Sequence, residues 1–271
     1  MKILSRIYMA LIFFILYAPI LVVILFSFNA SGSLSQFTGF SGYWYRELFR
    51  DGEALTALKN SLVLAVSSSL LATVLGTLTA FGIYRGRSKA LRRLTESVIN
   101  IPMMNPDIVT GVSMMLLFVG AATILGITAP LGFWSMLIAH TTFNLPYVTL
   151  SVLPKFRQMD KNLTEAALDL GCTPLQTFFR VELPSILPGI VSGMMMCFTL
   201  SLDDFVISHF VSSPDFKTLP LYIYNQTAHE VKFSMYALCT IIIFVILGLL
   251  IAVNVAGSVG ERRGRRRGSR A

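Results

Sequence analysis

Charge is what this sequence has least of. Only 13% of its 271 residues are charged and 54% are hydrophobic, whereas a soluble domain carries about 25% charged residues. No long polar stretch interrupts the apolar runs, so the composition is that of a polytopic membrane protein. Cysteine is scarce as well. Cys172, Cys197 and Cys239 are odd in number and scattered, which excludes a disulfide framework and a cysteine metal site. They read as small apolar packing residues. His140, His209 and His229 lie far apart, which argues against a metal centre. No Walker A sequence occurs, so the chain does not use ATP through a P-loop. Any ATP drive must come from another subunit.

What is present is a set of apolar runs, each near the roughly 20 residues that cross a bilayer. They predict an all-α integral membrane protein with six spans, at about 7–28, 58–84, 97–120, 132–152, 186–210 and 236–255. Lys2 and Arg6 before the first run mimic a signal peptide. The run is too long for one and has no convincing cleavage site, so it reads as an anchor. Of the 22 Lys and Arg residues, seventeen fall at the N-terminus, in residues 85–93, in 154–185 and in the tail; five fall on the other side. The positive-inside rule places both termini and the 153–185 loop in the cytoplasm. The same placement accounts for the net charge of +8 without nucleic acid as a partner. The tail 256–271, with its ERRGRRRGSR run, reads as a topology signal on a disordered end. Anionic membrane lipid is its other candidate partner.

The loop from Glu165 to Pro184, EAALDLGCTPLQTFFRVELP, is the longest amphipathic polar-rich segment between two spans. Asn162 with Glu165 predicts an N-cap pair, and Ala166 and Ala167 favour helix. Gly171 predicts a stop at positive φ. Thr173, Pro174 and Gln176 predict a capped restart. Leu183-Pro184 predicts the end of that second helix.

Ionisable residues inside spans are costly and therefore candidates for function. Three occur: Asp107, Asp203 and Asp204. Pro102 and Pro106 interrupt the third span around Asp107. Such a break either lines a transport cavity or leaves Asp107 as a helix N-cap after a kink. Asp203 and Asp204 point about 100° apart on a helix. Cys197, Ser201, Asp204 and Ser208 form one small, polar stripe, which favours Asp204 for a pathway. Asp203 shares its side with Thr199 and either faces a partner subunit or, with Asp204, marks the outer end of the span. His140, Asn144, Tyr147 and Ser151 form a similar stripe on the fourth span and read as helix–helix glue. No Lys or Arg sits at this depth, so a cationic substrate is the natural complement. In the outer segment 29–57, Tyr43 to Phe49 predict a short interfacial helix. Its aromatics suit a membrane interface or a contact for an external binding protein, and Trp44 suits a cation.

The spacing of Glu165-Ala166-Ala167, Gly171, Val181 and Leu183-Pro184 resembles the EAA loop of bacterial ABC importer permeases. Val181 stands where isoleucine is commoner in that family. Further motifs are similar to the spermidine/putrescine importer permeases, specifically the second of the two paired membrane subunits. They are YAPILVVILFSFN at 17–29, GYWY at 42–45, NPDIV at 105–109, the GFWS start of the fourth span, FTLSLDDFVISHFV at 198–211 and TLPLYIY at 218–224. The stretch after His229 departs from the family pattern.

The resemblance implies a type I ABC importer permease fold. It implies that the Glu165–Pro184 loop docks on an ATPase, with Glu165, Ala166, Ala167, Gly171, Leu183 and Pro184 as coupling residues. It implies polyamine-pathway roles for Trp44, Asp107, Ser201, Asp203 and Asp204, and an involvement of Glu165 in uptake. It also implies a paired homologous permease, two ATPase subunits that bind ATP and Mg, and an external polyamine-binding protein. An importer for another cation or a metal chelate is the alternative within transport. An intramembrane aspartyl protease would pair Asp107 with Asp204, but it has no use for an EAA-type loop. A channel or secondary transporter has none either.

Overall fold

The computed structural model describes residues 2–32, 36–86, 88–128, 130–228, 232–248 and 251. The chain divides into two compact units, Ala57–Leu221 and Met1–Thr56 with Tyr222–Ala271. Among the described residues five helices are long and apolar enough to cross a membrane: Ser5–Ser27, Gly52–Arg85, Asp107–Leu125, Phe133–Gln158 and Pro174–Asp203. A shorter apolar helix covers Ser234–Gly248. The expected sixth span, 236–255, and the basic tail 256–271 run beyond the described residues.

The larger unit holds most of α3 (Gly52–Arg85), then α4 (Lys89–Met104), α5 (Asp107–Leu125) and α6 (Phe133–Gln158). It continues through α7 (Lys161–Asp169), α8 (Pro174–Thr177), a π-helical turn (Phe178–Glu182), α9 (Leu183–Asp203) and α10 (Val206–Val211). Within it α6 packs closely against α9. Lipid tails are as apolar as leucine, so helices in a bilayer associate through close approach rather than water exclusion. Gly189 and Gly193, four residues apart on α9, supply that approach. A Cβ on Gly189 would stand 2.8 Å from the Ser151 carbonyl oxygen, and one on Gly193 would stand 3.1 Å from the Val148 Cα. Around this seam Ala80 and Ile83 of α3, Val148, Val152 and Phe156 of α6, and Ile186 of α9 form a buried cluster. A second cluster joins Leu64 of α3, Met136 and Ala139 of α6, and Ile207 and Val211 of α10.

Two expected spans are divided. The expected third span, 97–120, is two helices broken at Asn105-Pro106, and Asp107 opens the second instead of lying ten residues inside a span. Proline disfavours helical geometry at the preceding residue, and Asn105 is extended. The expected fifth span, 186–210, stops at Asp203, with Asp204 extended. The helix restarts because the Asp204 carboxylate accepts from the Ile207 and Ser208 amides, at 3.3 and 2.8 Å. By contrast α6 runs unbroken through Pro146 and Pro154.

The second unit contains α1 (Lys2–Ser27), α2 (Tyr43–Leu48) and most of α11 (Leu219–Thr227), followed by α12 (Ser234–Gly248). Buried Asn29 pins the loop after α1. Its side chain donates to the Gln36 carbonyl at 2.9 Å and accepts from the Thr38 amide at 3.0 Å. Asp51 caps the start of α3 through the Glu53 and Ala54 amides, and its other oxygen accepts from the Tyr222 hydroxyl at 2.7 Å. Burial pushes the Asp51 carboxyl up. The Tyr222 hydroxyl, the two amides and the Lys232 charge outweigh it and hold the group below its ordinary value.

Candidate functional site

The loop between α6 and α9 is built as a knob of short helices. Asp160, not Asn162, caps α7, because its carboxylate accepts from the Asn162 amide at 3.0 Å. The acid immediately before the helix takes the Asn162 amide that the expected Asn162–Glu165 box would have used. Gly171 stops α7 at φ +87°, as glycine allows. Thr173 and Gln176 form the expected reciprocal capping box, at 3.3 and 3.0 Å.

Leu183-Pro184 does not end the second helix. The chain stays helical from Pro174 to Asp203. The intervening π turn closes a Leu183 N–H to Phe178 carbonyl bond. A wider turn relieves the clash that proline makes with the carbonyl four residues back. Ala167 is packed inward, while Glu165 and Ala166 face out. Leu168, Leu170, Leu175 and Phe179 are also exposed, Leu170 at 86%. An acidic residue set among exposed leucines gives this knob an amphipathic surface.

A second polar centre lies where α3, α6, α9 and α10 converge. His140, 1% exposed, has its Nδ1 at 2.7 Å from the Ser201 hydroxyl and its Nε2 at 3.2 Å from the Ser208 hydroxyl. Ser201 continues to the Ser68 hydroxyl at 3.0 Å. The Asp204 Oδ2 stands 3.4 Å from His140 Nε2, and its side chain is 10% exposed. His140 thus bridges α9 and α10 through both ring nitrogens. Ser201 and Asp204 are thus turned inward and occupied, whereas Asp203 on the last residue of α9 is exposed. Asp107 is exposed as well. It is the first residue of α5, and Pro106 holds the N-cap position. Sequence patterning put Ser201 and Asp204 on one stripe and His140 on another. It did not join them, and it did not identify Ser68 at all.

Trp44 belongs to the other unit. Its indole N–H donates to the Asn29 carbonyl at 2.8 Å. Its ring lies 5.0 Å from Tyr43 and 5.4 Å from Phe233, centroid to centroid. It is half-buried in an aromatic group. Among the described residues no group of three or more His, Cys, Asp or Glu side chains is arranged to hold a metal.

The family model for the binding-protein-dependent transport system inner membrane component matches residues 72–258, which include the Glu165–Pro184 loop and His140, Ser201, Asp204 and Ser208, but not Ser68. The chain belongs to this family. The permease is 39% identical over 236 residues to the putrescine transport system permease protein PotI of Escherichia coli K12, covering 85% of this chain and 82% of that one. It is 38% identical over 244 residues to the spermidine/putrescine transport system permease protein PotC of Haemophilus influenzae, covering 90% and 92%. Among solved structures, a chain of a bacterial ABC transporter that imports the acidic polysaccharide alginate matches with a TM-score of 0.75 at 17% identity, over 96% of this chain and 95% of that one. A chain of the MetNI methionine ABC transporter matches at 0.57 and 21% identity, over 84% and 99%. The permease therefore has the all-α fold of ABC transporter membrane chains. It is a multi-pass protein of the bacterial inner membrane.

Proposed function

We propose that this permease forms half of the translocation pathway of an ATP-driven importer for polyamines. The observation that carries it is the pair of exposed carboxylates, Asp107 and Asp203, at the ends of membrane helices. Among the described residues neither makes an ion pair. Carboxylates carried by membrane helices call for a counter-ion, and relatives whose names specify putrescine and spermidine supply the cation. Asp203 and Asp107 hold the substrate ammonium groups transiently. Ser201 and Asp204 act from behind, by fixing the α9–α10 break that presents Asp203. Trp44, with its N–H engaged, offers a ring face on the outer side.

The seventeen-to-five bias of Lys and Arg supports cytoplasmic termini and a cytoplasmic Glu165–Pro184 loop. That loop presents Glu165, Ala166 and the exposed leucines to an ATPase. Ala167, Gly171, Leu183 and Pro184 shape it. ATP and Mg bind on two ATPase subunits, a homologous permease completes the pathway, and an external binding protein delivers the polyamine.

The test is ATP-dependent uptake of labelled putrescine and spermidine in proteoliposomes. They hold this chain with its partner permease, ATPase and binding protein. Asp203→Asn is expected to lose most uptake with the ATPase still bound, and Glu165→Ala to weaken ATPase binding. If the assembled parent holds its ATPase but moves no polyamine, the substrate assignment is wrong and the permease class stands.

A further inference from the structure

The 153–185 loop is joined by the chain to α6 and α9. It is not joined to α3, which reaches it through side chains alone. Those side chains match in pairs. On α3, Phe81 and Arg85 stand four residues apart; on the π turn, Phe178 and Glu182 do the same. Residues so spaced share one helix face. The Phe81 and Phe178 rings meet edge to face with centroids 4.9 Å apart. The Arg85 guanidinium reaches a Glu182 carboxylate oxygen at 2.5 Å and lies 5.2 Å from the centre of the Phe81 ring. Phe81 also packs on Phe156 of α6.

Stability does not explain this pair. Glu182 is 0% exposed, and its second oxygen has no hydrogen-bond partner among the described residues. Desolvating a carboxylate against one arginine often gains nothing over an apolar pair of the same volume. The carboxylate also sits in a π turn, an uncommon local geometry that recurs at functional positions. Further along α3 from the pair, Ser68 contacts Ser201 in the network that holds Asp204. Thirteen residues separate Ser68 from Phe81, about 20 Å of helix. One rigid helix is therefore held by the loop at one place and by the polar centre at another.

We infer that Phe81, Arg85, Phe178 and Glu182 form a clasp that makes α3 a connecting rod, carrying displacement of the coupling loop to the Ser68–Ser201–His140–Asp204 network. This rests on the proposed coupling role of the loop. Arg85 and Glu182 are positioning residues; they touch neither ATP nor substrate. The clasp moves as one body and does not open during the cycle.

The assembled importer in proteoliposomes tests it, with uptake and ATP hydrolysis measured on the same vesicles. Glu182→Gln keeps shape and removes the charge. It is expected to leave ATPase binding and hydrolysis near parent levels and to lower polyamine moved per ATP about tenfold, the equilibrium shift for one lost charge-assisted hydrogen bond. Arg85→Lys is expected to recover part of that ratio and Arg85→Gln none. Should Glu182→Gln fail to assemble, a Phe81→Cys/Phe178→Cys pair on a Cys172→Ser background, bridged by a short bis-thiosulfonate cross-linker, gives an independent answer. Uptake is expected to survive bridging. Parent coupling in Glu182→Gln, or uptake abolished by the bridge and restored by reductant, overturns the clasp while leaving the permease assignment intact. A parent that neither holds its ATPase nor moves polyamine removes the coupling role and the clasp with it.

Discussion

Replacing His140 by leucine isolates the polar centre from simple packing. Leucine roughly conserves the volume, so the loss is mainly polar. The imidazole makes two hydrogen bonds, to Ser201 at 2.7 Å and Ser208 at 3.2 Å, and faces Asp204 at 3.4 Å. Side-chain hydrogen bonds between membrane helices are worth about 0.6 kcal/mol on average and about 1.7 kcal/mol at most. Asp204 keeps its two amide donors and Ser201 keeps Ser68. Two bonds lost, with the Ser208 hydroxyl left facing a leucine, give a loss of about 1–3 kcal/mol. In a chain of this size that lowers the thermal midpoint by about 2–5 °C. The purified protein in detergent, followed by circular dichroism on heating, reads this directly. His140→Gln, which retains a donor, is expected to lose less. Uptake in the assembled importer is expected to fall with His140→Leu while ATPase binding persists, because the α9–α10 break that presents Asp203 loosens. A leucine variant with the parent midpoint and parent uptake would refute the idea that this network fixes Asp203.

Gly189→Ala is expected to destabilise by about 1–3 kcal/mol, because its Cβ would meet the Ser151 carbonyl at 2.8 Å and α6 must move off α9. Gly82→Ala, with nothing within 4 Å, is expected to stabilise by about 0.5–1 kcal/mol; thermal unfolding checks both. Tyr222→Phe removes a donor to Asp51 and is expected to destabilise the outer loop at neutral pH. The Asp51 value is lowered by folding, so its contribution is complete above 3.8 and is lost as pH falls through the lowered native value. The gap between Tyr222→Phe and the parent is therefore expected to close in acid, as read by unfolding midpoints across pH.

The sequence by itself determined the class. A bilayer accepts only long apolar segments with satisfied backbones, so composition and run length foretell helical spans. Turn chemistry is equally local. Gly171 takes positive φ and Thr173 pairs with Gln176 because both outcomes depend on residues within one turn. Where two local signals compete, context decided. Asp160 took the cap expected at Asn162, and the π turn let the helix pass Pro184. Asp204 broke a span that hydropathy alone ran through, since an apolar window does not register one carboxylate turning back onto two amides. Only the tertiary structure decided which polar groups meet. Ser68 lies 133 residues from Ser201 and Arg85 lies 97 from Glu182. No periodicity within a helix encodes a partner on another helix; packing does, and here Gly189 and Gly193 bring α9 onto α6 while Gly76 brings α3 onto it. That packing turns Asp204 inward to His140 and leaves Asp203 exposed, a distinction that two adjacent identical letters could not make.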